Sequence, residues 1–591
     1  MHIIGLLTGL ASLSLIQAAR VVYDMNITYV DNVNPDNLKA RQVVGINGKW
    51  PIPAVEVTLG DVLVMNVHNS LNEPTALHAH GQFQNGTNWM DGPVMVTQCA
   101  IPPNHDLQYE FNITQTGTFW IHSHYMGQYM DGLRFPMIIH NPAEPYKYDE
   151  ELTVTLSDWY HDSSYINLNK FMSVYNPTGA EPVPGMRTNG VTQSGLINDS
   201  ANVTFNFTPG KVYRLHIINI SGFATFFYSI DGHQMEIIEV DGIYTKPQLV
   251  DSIYMTAAQR FSVLVTAKNT TDINYYMHAD MDTVMFDSLP PDLNPNITAP
   301  IYYSTNHQNF SPSQDVGGDS TFDDMTLVPL YNASSVEPDR QVNLTIDFQV
   351  TTDGFNRGMF NELPYLSPKV PSTNTMFSMG DDAMNVDVYG PQSQAYVFKH
   401  LDMIELVLNN LDGNAHPFHL HGHVFQMVGR GSGVYTGNKS SVNWLMDNPP
   451  QRDTIRVDGE GFSIIRFRAD NPGVWIFHCH IDWHLESGLA ALFVTAPDVA
   501  QQRMTLPQAF KDICEAGGTP GVGNAAGKMG LDLSGAPSGV TLIPDGFTAK
   551  GKGAMAACCI SAIIGMAAIV WYSLNDPQRV IRERMGRPPS R

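Results

Sequence analysis

The sequence predicts an all-β chain of consecutive β-sandwich or barrel domains, followed by one membrane-spanning helix. Three observations predict it. Short β-branched and aromatic runs alternate with turn dipeptides throughout the chain. One arrangement of strands and turns returns as an internal repeat of about 150 residues. Near the C-terminus, Gly553 to Leu574 carries no charge and is long enough to span a bilayer.

Taken from the N-terminus, the first element is a leader. Ile3 to Ile16 is an apolar run followed by Ala18 and Ala19, which reads as a signal peptide over residues 1–19, although only His2 stands where a charged start is usual. About a dozen Asn-x-Ser/Thr sites, among them Asn26, Asn85, Asn112, Asn202, Asn269, Asn343 and Asn438, point to a glycosylated lumenal or extracellular protein. Strand signals follow at 55–59, 62–67, 152–156, 203–207, 261–265, 342–348, 404–408 and 464–467. Pro209-Gly210 and the Asp-Gly pairs at 91–92, 131–132 and 241–242 supply turns between them. The order strand, Asp/Gly turn, His-rich segment, aromatic strand appears near 60–140 and again near 400–495. Residues 145–300 keep the strand texture without the histidine pairs. Residues 516–552 are rich in Gly, Ala, Pro and Ser and read as a flexible stalk. In the apolar span 553–574, Trp571 and Tyr572 stand where interfacial rings belong. Arg579, Arg582, Arg584, Arg587 and Arg591 mark residues 575–591 as a cytoplasmic tail, and that charge argues against a lipid-anchor signal. The expected protein crosses the membrane once, with its bulk outside.

Composition narrows the function. At 591 residues the chain exceeds one hydrophobic core. Acids outnumber bases 57 to 33, and the net charge of −24 disfavours nucleic acid and favours cationic ligands.

The chemistry is concentrated in four His-x-His pairs: His78/His80, His122/His124, His419/His421 and His478/His480. On a strand, residues i and i+2 face the same way, so each pair can converge on one site. One pair would suit a solvated strand face. Four pairs, two in each end region, imply a metal cluster between those regions. Imidazole suits several transition metals, and the single cysteine among the histidines, Cys479, discriminates. Cys479 with His416 and His484 forms the His2Cys set of a blue-copper electron-transfer site. Neighbouring side chains on a strand face opposite ways, so Cys479 can hold one metal while His478 and His480 hold a cluster behind it. The backbone between them is then a short covalent path for electrons. Ten residues past Cys479, the place of a weak axial methionine is taken by Leu489. A hydrocarbon cannot ligate, so a three-coordinate copper of raised potential is expected.

Leu77-His-Ala-His-Gly, Trp120-Ile-His-Ser-His, His416-Pro-Phe-His-Leu-His-Gly-His and His478-Cys-His-Ile-Asp-Trp-His resemble the four copper signatures of the multicopper oxidases, in order, within a likeness spanning residues 22–515. That resemblance implies three cupredoxin-like Greek-key domains, set here at 20–143, 144–305 and 306–515, and four copper ions. It implies a type 1 copper on His416, Cys479 and His484, and a type 2 copper on His78 and His419. The type 3 pair would take His80, His122, His124, His421, His478 and His480. Ala79 departs from the aromatic residue usual between the first two histidines. Asp91 and Asp482 match the family's acids beside the cluster, with Asp482 where Glu is common, and would orient ligands or relay protons.

Further stretches resemble the fungal cell-surface ferroxidases of iron uptake within that family. Asp412 lies four residues before His416, and Glu181 lies in Tyr175-Asn-Pro-Thr-Gly-Ala-Glu-Pro. Both match acids that bind iron and couple it to the type 1 copper. Tyr365, in Asn361-Glu-Leu-Pro-Tyr, matches a tyrosine of that group, and Asp287 matches a further acid across a shifted spacing. Carboxylates stabilise Fe3+, a hard cation, over Fe2+ and so favour loss of the electron. The implied activity is oxidation of Fe2+ with four-electron reduction of O2 to water, beside an iron permease at the plasma membrane, with a vacuolar membrane also open. A membrane-tethered laccase acting on phenols or aromatic amines is the alternative. A copper-storage or assembly subunit without turnover is a third reading. Cys99 and Cys514 are the remaining lumenal cysteines and are expected to pair in an oxidising compartment, whereas Cys558 and Cys559 fall inside the apolar span.

Overall fold

Alternating burial sets the strands of the first sandwich. In Asp106–Asn112, Leu107, Tyr109 and Phe111 point into the core while Asp106 and Gln108 face solvent. One sheet runs Arg41–Ile46, Arg20–Val33, Val62–Asn69, Asp106–Asn112 in spatial order. The other runs Val55–Thr58, Arg134–His140, Gly117–Ser123, Leu77–His80. Ile27, Leu63, Met65 and Val67 of the first meet Val57, Phe119, Ile121, Phe135 and Met137 of the second in one apolar cluster. The structure is a computed structural model and describes residues 18–185, 192–289, 293–306, 308–312, 322–544, 546–547, 549–575 and 577–586. The expected leader falls almost wholly outside the described residues.

The same plan recurs twice. A six-stranded and a five-stranded sheet built from residues 150–302 form the middle sandwich. A second six-and-five pair, from residues 340–495, forms the last. The expectation of three β-sandwiches therefore holds. In the last sandwich, Met403–Asn410 is buried at every position, because its sheet is covered on both faces. The disulfide Cys99–Cys514 ties the first sandwich to a helix, Gln508–Ala516, that follows the last one.

The expected stalk begins later than its composition suggests. Residues 521–541 have little regular secondary structure, yet they are pinned to the last sandwich. Asn374 donates to the Gly521 carbonyl (3.0 Å), Ala525 N donates to the Val388 carbonyl (2.8 Å), and Thr541 N donates to the Thr352 hydroxyl (3.2 Å). Asn524 and Ala525 are fully buried. Small, turn-forming residues here serve close packing rather than looseness. Residues 542–591 form a separate unit. Its main element is one helix, Ala549–Leu574, starting four residues before the expected span. At 26 residues it is about 39 Å long, enough to cross a bilayer core. Its apolar side chains, including Ile563, Ile569 and Leu574, are exposed all round, as a lipid-facing helix requires.

Candidate metal centre

The histidine pairs come together through strand register. Leu77–His80 runs antiparallel to Gly117–Ser123, with His78 opposite His122. In the last sandwich, His416–Leu420 runs antiparallel to Gly473–Cys479, with His419 opposite His478 and Phe418 opposite Cys479. The two strand pairs face each other, and eight imidazoles meet between the first and last sandwiches. His80, His122 and His480 form one group, His124, His421 and His478 a second, and His78, His80 and His419 a third. Within each group one ligand atom per residue lies within 4.8 Å of the others.

The donor set fits metal ions. The Nδ1–H groups of His78, His122, His419 and His478 donate to the carbonyls of Asp91, Ser123, Asp453 and Cys479 at 2.6–2.9 Å. That fixes each tautomer and leaves Nε2 as the lone-pair atom. The Nε2 atoms of His78, His122, His124 and His419 have no hydrogen-bond partner among the described residues. His421 and His478 bring two Nε2 atoms to 3.1 Å of each other. His80 is reversed: Nε2 lies 3.4 Å from the Thr454 hydroxyl and from the Asp453 carboxylate, and Nδ1 is the atom without a partner among the described residues. Burial, and then the neighbouring imidazoles, hold His80, His122, His124, His421 and His480 far below the usual histidine range, and burial holds His478 down at about 4. A buried nest of neutral lone pairs is matched by cations and by little else.

Asp91 sits between two of these rings. Its carboxylate lies 2.9 Å from His421 Nδ1 and 3.2 Å from His78 Nδ1. The turn that delivers it is tight, since a Cβ on Gly92 (φ +105°) would lie 2.0 Å from the Leu77 carbonyl oxygen. Asp482 is also buried beside the cluster. Burial, and then Glu486 one turn along the same helix, raise its carboxyl well above the usual range. A void between them touches His122, His124, His478, His480, Asp482 and Glu486.

Cys479, His416 and His484 form the separate set. His484 Nδ1 lies 3.5 Å from Cys479 Sγ and 3.2 Å from His416 Nδ1. Burial pushes the free thiol far up, so a thiolate at this place requires a cation to hold it. Leu489 is fully buried and its carbonyl accepts the Cys479 amide at 3.1 Å. Phe348, which sequence reasoning passed over, covers both imidazoles, with ring centroids 5.3 Å from His416 and 4.7 Å from His484. Cys479 stands between His478 and His480, so one stretch of main chain touches both sets.

The outward nitrogens of this second set meet side-chain carboxylates. His484 Nε2 lies 2.8 Å from Glu181 Oε1, and His416 Nε2 lies 3.0 Å from Asp412 Oδ2. Burial lifts the Glu181 carboxyl to about 7. At Asp412 burial works upward too, but the bond to His416 wins and holds it low. Asp287 is exposed, and burial together with the charges of Glu181 and Asp412 raises its carboxyl. Tyr365 goes elsewhere. Its amide bonds the Gly488 carbonyl (2.8 Å), and its ring lines a cavity of about 300 Å³ with His124, Arg357 and Glu486. Asp453 and Glu486 carried no signal in the sequence, because neither belongs to a spaced pair.

Known proteins show the same organisation. The multicopper oxidase family models match residues 27–144, 150–306 and 365–499. The chain is 44% identical to the iron transport multicopper oxidase fetC of Epichloe festucae, over 96% of this chain and 91% of the relative. It is 44% identical to the iron transport multicopper oxidase fio1 of Schizosaccharomyces pombe, over 97% and 92%. Among solved structures it resembles Fet3p, a multicopper oxidase that functions in iron import (TM-score 0.83, 35% identity, 89% of this chain and 99% of that one). It also resembles the laccase of Botrytis aclada (TM-score 0.73, 26% identity, 85% and 93%). Three cupredoxin-like sandwiches, eight facing imidazoles and a thiol between two of them thus have one explanation: the chain belongs to the multicopper oxidase family, whose members bind copper.

Proposed function

We propose that the chain is a membrane-anchored ferroxidase: 4 Fe2+ + O2 + 4 H+ give 4 Fe3+ + 2 H2O. The observation that carries this reading is the pair of carboxylates bonded to the outer nitrogens of the His2Cys set, Glu181 on His484 and Asp412 on His416. A hard cation seated on those oxygens is one imidazole away from Cys479 on either side. The relatives' names, which speak of iron transport, support the same substrate.

Four copper ions fit the residues: type 1 on His416, Cys479 and His484, type 2 on His78 and His419, and the type 3 pair on the remaining six histidines. Copper, when bound, supplies the one-electron redox chemistry and the reduction of O2. The chain does the rest. Glu181, Asp412 and the exposed Asp287 bind and orient iron. Tyr365 is assigned no contact with it, since its ring lines the cavity beside His124. The peptide units flanking Cys479 give electrons a covalent route to His478 and His480. Asp91 orients His78 and His421, and Asp482 holds a proton next to the cluster. The domains run 20–143, 144–305 and 306–515. The helix Ala549–Leu574 anchors the enzyme in the plasma membrane with its bulk outside, where a membrane neighbour, the iron permease of the resembling enzymes, takes the product.

Steady-state oxidation of Fe2+ and of an aromatic diamine by the detergent-solubilised chain tests this. The double variant Glu181→Ala, Asp412→Ala is expected to lose Fe2+ oxidation and keep diamine oxidation. Equal losses, or none, would instead favour a laccase acting on phenols or aromatic amines.

A further inference from the structure

The middle sandwich contributes none of the histidines and no cysteine to either set, yet one of its side chains reaches the cluster. Arg260 opens the strand Arg260–Thr266 and is fully buried. Its guanidinium meets Asp453 of the last sandwich in a two-bond fork, Nη1 to Oδ1 at 2.7 Å and Nη2 to Oδ2 at 2.6 Å. Its Nε donates to the carbonyl of Thr118 (3.1 Å), on the strand of the first sandwich that carries His122. One arginine therefore joins all three sandwiches at the cluster's edge.

Asp453 continues the chain of contacts. Its Oδ1 lies 3.4 Å from His80 Nε2 and 3.6 Å from His419 Nδ1, and its carbonyl accepts His419 Nδ1–H at 2.8 Å. The Thr454 hydroxyl donates to Oδ1 at 2.9 Å and so can accept from His80 Nε2–H at 3.4 Å, and Gln259, next to Arg260, donates to the Thr454 carbonyl at 3.2 Å. Space is reserved for the fork. A Cβ on Gly81 (φ +87°), directly after His80, would lie 2.6 Å from Arg260 Nη2 and 2.7 Å from Asp453 Oδ2. Burying two full charges is costly, and a well-packed apolar pair usually serves stability as well. The fork does something an apolar pair cannot: it keeps an anion beside His80 Nε2 and turns the Thr454 hydroxyl so that its oxygen can accept from Nε2–H, which selects the tautomer that leaves Nδ1 as the lone-pair atom.

We propose that Arg260 is a positioning residue through which the middle domain orients the metal ligands His80 and His419, acting by its fork to Asp453. This rests on the reading of His78, His80 and His419 as copper ligands.

The test uses the full chain loaded with copper. It follows the blue absorption of the thiolate set, the paramagnetic resonance of the copper at His78 and His419, and copper retention against a chelator. Arg260→Met is expected to keep the blue absorption, change the hyperfine pattern of the cluster's resonance, and lower cluster copper retention about 10–100-fold. Arg260→Lys, which keeps the charge but not the fork, should recover part of that loss. Should Arg260→Met also lose the blue absorption, Gly81→Ala decides, since it displaces the fork while leaving both charges in place. A changed resonance with blue absorption retained in Gly81→Ala supports the proposal. Parent-like resonance and retention in Arg260→Met or Gly81→Ala overturn it, and so does loss of every copper signal together in both. A parent chain that takes up no copper overturns the copper-ligand reading itself, and this inference with it.

Discussion

The two ligand sets use the same residue type and differ in what stands behind it. In the cluster, the outward nitrogens of His78, His122, His419 and His478 end on main-chain carbonyls, His421 ends on the buried acid Asp91, and His80 ends on the Thr454 hydroxyl and the buried acid Asp453. In the His2Cys set they end on Glu181 and Asp412, whose side chains are 16% and 30% exposed. Carbonyls and sealed acids fix the geometry of the rings. In the proposed ferroxidase, these partly exposed carboxylates would offer an outside cation a seat one imidazole away from the sulfur. The difference teaches that the site's division of labour lies in the partners of the ligands, since the imidazoles themselves are alike.

Substitutions can break this contrast or sharpen it. Cys479→Ser removes the single thiolate, and it should abolish both the blue absorption and turnover with every reductant. Retention of the colour would mean the sulfur is not a ligand. Asp91→Ala strips the acid behind His78 and His421. Chelator titration should show cluster copper held about 10–100-fold less tightly, with the blue absorption intact. If colour and cluster fail together, the two sets are not independent. Glu181→Ala alone should lower kcat/KM for Fe2+ by about tenfold and leave an aromatic diamine untouched. Equal falls would show that Glu181 merely holds His484 in place. The smallest effect is expected from Leu489→Met. A thioether at that place adds a donor, so redox titration should find a lower potential and Fe2+ oxidation should slow. An unchanged potential would show that residue 489 does not face the metal.

Much of this was legible beforehand, and particular residues show why. His78 and His80 share a face because a strand repeats every two residues, and Cys479 opposes its neighbours for the same reason. Asp412 lies near His416 by its four-residue spacing, Glu181 is reached only through resemblance, and the structure brings both to the imidazoles. Residues 521–541 fall in the stretch 516–552 that composition reads as a stalk, and composition reports chain flexibility but not the Val388 and Thr352 groups that hold them. Tyr365 shares its resemblance with the carboxylates, yet its ring turns to the cavity beside His124.

By itself, the order of residues determined which faces of the strands are apolar, where the imidazoles and the thiol fall on them, and which helix is long and apolar enough to cross a membrane. These follow from local periodicity and side-chain chemistry. Tertiary structure alone decided which nitrogen of His80 is left without a partner, and that Arg260 and Asp453, 193 positions apart, meet beside it. The physical reason is that a buried charge finds its partner through packing, and packing joins residues with no regard for their separation along the chain.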